Sequence, residues 1–133
     1  MLEGDTRVSD LQLRGWKSPK YGITVASNTN NTQVPVVERC TFFPKGSPTS
    51  ASDPYGYDAT GTNKAGGGAY LDGALWSSST GTLGFVFNEC TFITPNNIGV
   101  TATNGMRVEM ADCYFYFNSN SIKTLEGATG IYG

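Results

Sequence analysis

Few side chains in this sequence are able to do chemistry, and most of them recur in one short pattern. Cys40, Cys90 and Cys113 each stand two residues before a phenylalanine, and Asp10, Glu38, Glu89, Glu109 and Asp112 lie in or beside the same segments. Glycoside hydrolysis needs two carboxylates about 5–9.5 Å apart. Glu38 and Glu89 differ by one position in the shared pattern, so they are expected on different faces, and all five acids read as solvated residues at strand entrances. Arg107 has only Glu89 as an expected partner across a neighbouring strand. Histidine is absent, which removes imidazole acid–base chemistry, Ser-His-Asp and Cys-His pairs and His-containing zinc sites. Three stacked thiolates would not converge on a tetrahedral point, and no fourth ligand is apparent. Buried, reduced cysteines filling a core column are the expectation. No catalytic residue, metal ligand or cofactor site is expected.

A different chemistry is concentrated between residues 44 and 84. Tyr55, Tyr57, Tyr70 and Trp76 stand there among Gly, Ser, Thr and the acids Asp53, Asp58 and Asp72. Aromatic faces beside short polar side chains suit sugar recognition, and loops on rigid scaffolds commonly carry function. These four aromatics are therefore the candidate glycan-binding residues, against the plainer alternative of a loop packed on the side of the fold. Gly66-Gly67-Gly68 is followed by no Gly-Lys-Ser/Thr and no helix, so it is not a phosphate loop; it reads as a flexible hinge.

The segments that must position these groups repeat. Val8–Leu13, Val37–Phe42, Phe87–Phe92 and Met110–Phe115 each run apolar, polar, polar, Cys or Leu, polar, Phe or Leu. Alternation at the last three positions is the period of a strand with one buried face. Each segment is expected to be a single strand. A weaker repeat, Gly22-Ile23-Thr24-Val25, Gly99-Val100-Thr101-Ala102 and Gly130-Ile131-Tyr132, supplies a second strand per unit, with Gly68-Ala69-Tyr70-Leu71 as a poorer fourth member. Equivalent positions are 29, 50 and 23 residues apart (11, 40, 90, 113), the shortest within the range of known solenoid repeats. The long interval lacks a core motif, so it holds one coil with an inserted loop over 44–67 and a second bulge near 77–81. Stacked coils would place Leu13, Phe42, Phe92 and Phe115 in one inward ladder and Leu11, Cys40, Cys90 and Cys113 in another, with Asn96 and Asn118 at a turn.

Composition agrees. Glycine accounts for 17 residues, and 16 Thr, 11 Ser and 10 Asn are all poor in helix interiors, which argues for turns and strands. No apolar run approaches the ~20 residues that span a bilayer, so no membrane partner is expected. A net charge of −2 with nine scattered Lys and Arg gives no footprint for nucleic acid. No charged and then apolar segment opens the chain, so no signal peptide is expected.

Cys-Thr-Phe followed by a Pro/Asn turn and then Gly-Ile-Thr-Val resembles the right-handed parallel β-helix of the pectin-lyase-like group. With its Gly/Thr/Asn-rich composition, the chain is most similar there to tail fibres and tailspikes of tailed phages. The resemblance implies an all-β solenoid of about four coils over residues 1–133, an excerpt of a longer chain or a protomer capped by partners. It implies a structural or binding role in a virion or other extracellular surface assembly. Self-association or contact with neighbouring segments of the same protein is expected, a homotrimer included. Polysaccharide is the expected ligand, nucleic acid and membrane are not, and no enzymatic activity is expected. The alternative is a non-catalytic segment of a polysaccharide lyase or glycosidase, because this architecture hosts those as well. The catalytic Asp clusters, Ca²⁺-binding carboxylates with an Arg base, and His of such enzymes find no matching positions in this sequence.

Overall fold

The computed structural model describes residues 7–24, 34–73, 84–116, 120–124 and 130–132, the last two stretches as backbone only. Trp76, Asn118 and the 77–81 bulge fall outside these. The described residues form thirteen short strands: β1 (Arg7–Ser9), β2 (Gln12–Arg14), β3 (Tyr21–Thr24), β4 (Val36–Glu38), β5 (Thr41–Phe43), β6 (Gly67–Asp72), β7 (Gly84–Asn88), β8 (Thr91–Ile93), β9 (Ile98–Thr103), β10 (Arg107–Ala111), β11 (Tyr114–Tyr116), β12 (Asn120–Thr124) and β13 (Gly130–Tyr132). They form three sheets, ordered β1-β4-β7-β10-β13, β2-β5-β8-β11 and β3-β6-β9-β12. Successive strands thus enter the first, second and third sheet in turn, and every pairing is parallel. The all-β, parallel character expected from the sequence is present.

Each six-residue motif proves to be two strands in two sheets, not one. The break falls at Asp10, Arg39, Glu89 and Asp112, whose φ angles of 59°, 48°, 51° and 50° lie in the left-handed region. A non-glycine residue there costs on the order of 1 kcal/mol. Its repetition at four equivalent positions ties it to the in-register parallel pairing of the strands on either side. Hydrogen bonds continue around the corner, with Thr41 N donating to Leu11 O, Thr91 N to Cys40 O and Tyr114 N to Cys90 O at 2.8–2.9 Å. The turn leaves a trace in the sequence, because the inward residues Val37, Cys40 and Phe42, like Phe87, Cys90 and Phe92, are three and then two apart, so the alternation slips by one residue at the corner.

One apolar cluster draws on all three sheets: Val37, Phe87 and Val108 from the first, Phe42 and Phe92 from the second, Ala69, Leu71, Val100 and Ala102 from the third. The phenylalanine ladder forms as expected. Phe42 pairs in register with Leu13 and Phe92, and Phe92 with Phe115. Phe42 stacks on Phe92 at 4.6 Å between centroids and Phe92 on Phe115 at 5.0 Å, while Phe87 meets the edge of both Phe42 and Phe92.

The cysteine column is less uniform. Cys40 and Cys90 are buried, Cys113 is half-buried, and Leu11 is 47% exposed. Each thiol reaches two carbonyls, one on its own rung and one on the rung before: Glu38 O and Val8 O for Cys40, Asn88 O and Val37 O for Cys90, Ala111 O and Phe87 O for Cys113. A hydrogen bond with Cys113 and burial push the Cys90 thiol up, and the same bond holds the Cys113 thiol low.

The third sheet corrects the weaker repeat. Ile23 aligns with Ala69, Ala69 with Val100, and Val100 with Ile122. Gly68-Ala69-Tyr70-Leu71 is therefore a true member. Gly130-Ile131-Tyr132 is not, since it pairs with Arg107–Glu109 in the first sheet. The third-sheet member missed from the sequence is Asn120–Thr124, which lacks the leading glycine.

Gly66-Gly67-Gly68 is no hinge either. All three are buried and two lie in β6. A Cβ on Gly66 would overlap the Trp16 indole, on Gly67 the Tyr21 ring, and on Gly68 both Phe92 and the Gly99 carbonyl. Here glycine serves close approach rather than flexibility.

Candidate functional site

β5 alternates as a strand should: Phe42 points into the core and the adjacent Phe43 to the outer side. Residues 44–66 contain no strand, only a 3-10 turn at Gly61–Asn63, and they fold back over this outer side. Phe43 meets Tyr55 at 5.8 Å and Tyr57 at 6.5 Å, and the two tyrosines stack on one another at 5.6 Å, 25° from parallel. Beside them opens a cleft of about 300 Å³ lined by Arg14, Gly15, Phe43, Lys45 and Tyr55. The Arg14 guanidinium lies over the Phe43 ring at 5.3 Å and the Lys45 ammonium over the Tyr55 ring at 6.0 Å.

The loop is held as a built object. Asp53, only 6% exposed, accepts hydrogen bonds from Thr49 Oγ1 at 2.8 Å, Tyr57 N at 2.6 Å and Asp58 N at 3.1 Å. Burial works to raise its carboxyl; those donors outweigh burial and hold it below the ordinary carboxylate value. Tyr57 O in turn accepts from the Asn96 side chain, so both polar groups of that backbone unit are pinned. Tyr55 O accepts from Gly46 N at 3.1 Å, and Asn97 Nδ2 donates to Ala65 O at 2.8 Å. On the other flank Lys45 N donates to Trp16 O, and Lys17 forms an antiparallel bridge with Ala65. Trp16 Nε1 donates to Gly67 O at 2.7 Å.

Of the four aromatics singled out in the sequence, Tyr55 and Tyr57 come together on Phe43. Tyr70 lies elsewhere, on β6, with its ring 5.2 Å from that of Tyr21, and Trp76 lies outside the described residues. Arg14, Phe43 and Lys45 were missed. The signal for Phe43 was its place next to an inward phenylalanine; Arg14 and Lys45 are distant in sequence and meet only when β2 and β5 pair.

The strand carboxylates do not converge. Glu38 pairs with Asn88 in register, one position from Glu89, so the two occupy different columns. Glu38 is not solvated: it is 6% exposed and accepts from Arg7 Nε at 2.9 Å and Nη2 at 2.6 Å. Those hydrogen bonds lower its carboxyl. Arg39 bridges Asp10 at 2.7 Å and Glu38 at 3.3 Å. Arg107 pairs with Glu109 on its own strand, not with Glu89. Among the described residues no group of His, Cys, Asp or Glu could hold a metal ion. No family model, curated protein or solved structure matches this chain.

Proposed function

We propose that this chain is a stretch of right-handed parallel β-helix serving as a structural and binding module of a larger surface assembly, of the tail-fibre or tailspike kind, that touches glycans through Tyr55 and Tyr57. Three parallel sheets entered in fixed rotation support the β-helix, and about 98% of parallel crossovers are right-handed. Among the described residues β1, β2 and β3 each have one hydrogen-bonded neighbour, as do β11, β12 and β13. Such edges are templates for a second copy or for neighbouring segments of the same protein. The observation that carries the binding role is the tyrosine pair, stacked on one another, packed against Phe43 and fixed through its backbone before any ligand arrives, because a rigid aromatic surface loses little entropy on binding a sugar ring. Dispersed strand carboxylates favour binding over turnover.

Glycan-array binding of the chain beside its Tyr55→Ala/Tyr57→Ala variant tests this. Retention of specific glycans by the parent and their loss in the variant is expected, with no new reducing ends or unsaturated product on incubation. Turnover of any polysaccharide would overturn the structural and binding role.

A further inference from the structure

Nine basic residues look scattered along the sequence, but the fold sorts the eight whose side chains are described. Arg7, Arg39 and Arg107 each pair with a carboxylate. Arg14, Lys17, Lys20, Lys45 and Lys64 are instead drawn to one place, where the turn after β2 meets the loop after β5. Backbone bonds set this gathering: Ser18 N donates to Lys64 O, Lys45 N to Trp16 O and Gly67 N to Lys20 O, and Lys17 bridges Ala65. Among the described residues none of the five has a carboxylate within ion-pair distance; the Lys17 ammonium donates to Ser47 Oγ at 2.7 Å. The loop's two acids, Asp53 and Asp58, offset this charge only in part, two carboxylates against five cations, and the oxygens of the buried Asp53 are taken up by three neutral donors within the loop. In a chain of net charge −2, this is a local positive field beside an aromatic cleft.

We infer that the cleft binds a negatively charged glycan, with a sugar ring against Tyr55 and its acidic substituent between Arg14 and Lys45, an inference that rests on the glycan-contact proposal. Both cations already lie over aromatic rings, so an acid group on a stacked sugar comes within their reach. A guanidinium over a ring keeps its edge donors free for carboxylate, sulfate or phosphate. Lys17, Lys20 and Lys64 extend the positive rim, so further charged units of the same glycan gain attraction along it. Such attraction is salt-sensitive.

The test is an array of glycans bearing carboxylate, sulfate or phosphate, each printed beside its esterified or desubstituted counterpart, with retention on immobilised heparin as a second readout. Charged members are expected to bind at least about tenfold more tightly than their neutral counterparts, a difference of about 1.4 kcal/mol. Arg14→Gln and Lys45→Gln should each weaken that binding about 3–10-fold, the range of an ordinary net hydrogen bond, because both side chains are exposed and screened by solvent. The Lys17→Gln/Lys20→Gln/Lys64→Gln variant, which removes no core contact, should elute from heparin at lower salt, and Arg107→Gln should not. Equal binding of neutral and charged partners, with Arg14→Gln and Lys45→Gln silent, would overturn the charge preference and leave glycan contact standing. Unchanged heparin retention in the triple lysine variant would overturn the rim. No binding to any glycan by the folded chain would sink both proposals.

Discussion

The corner column and the loop after β5 solve the same problem, fixing an irregular backbone, by opposite means. At the corners, four residues adopt the same left-handed conformation, and each rung repeats the hydrogen bonds of its neighbour. Any one contact there is one copy of several. In the loop each contact occurs once: one carboxylate gathers three donors, one amide caps one carbonyl, and one pair of glycines, Gly46 and Gly56, lets two backbone segments touch. Repetition makes the rungs cooperative through neighbour-to-neighbour terms. Singular contacts give the loop a precise surface but no reserve, so damage to the rungs should spread and damage to the loop should stay local.

The severest way to break the rungs is Phe92→Ala, which removes a ring that stacks on two neighbours and meets the edge of a third. It should cost about 3–5 kcal/mol, read by denaturant unfolding, and the loss should be global. A cost under about 1 kcal/mol would mean the ladder is not the core. Gly68→Ala comes next: its Cβ would meet the Gly99 carbonyl and Phe92, and overpacking of this kind costs about 1–3 kcal/mol. A neutral or stabilising Gly68→Ala would show that the third sheet yields.

The loop side of the contrast is sharpened by Asp53→Asn. An amide replaces the acceptor-only carboxylate, so cleavage by chymotrypsin after Tyr55 and Tyr57 should quicken while the global unfolding midpoint scarcely moves. Acid should do the same to the parent. Because the folded Asp53 carboxyl is held low, its contribution is present above the ordinary carboxylate value and is lost as pH falls through the depressed one. Loop protection that persists unchanged to strong acid, or loss of the whole fold in Asp53→Asn, would erase the distinction between the two regions.

Smaller effects are expected at the charged rungs. Arg7→Gln should lower the midpoint by less than Gly68→Ala, and the deficit should shrink in high salt, because Arg7 is mostly exposed and screened there. The smallest perturbation is a label. A maleimide should modify Cys113 well before Cys40 and Cys90, since it is half-buried with a lowered thiol while they are buried. Equal rates at all three would place Cys113 as deep as the others.

From the residues alone, the repeat, the parallel all-β class and the phenylalanine ladder could be read, because an identical environment on every rung selects similar residues at fixed intervals. The tyrosines of the loop were legible as a type of chemistry, though not as a site. Tertiary structure decided the rest. It placed a left-handed corner inside what read as one strand, and only the facing rungs' hydrogen bonds make such a residue tolerable. It turned three glycines from a hinge into a close contact, because steric room is a property of the neighbours. It also exchanged Gly130–Tyr132 for Asn120–Thr124 in the third sheet, since strand pairing follows the order of rungs rather than local resemblance. And it drew five cations from three stretches of sequence to where the turn after β2 meets the loop after β5, two of them lining the cleft, a gathering that exists only once β2 and β5 lie side by side.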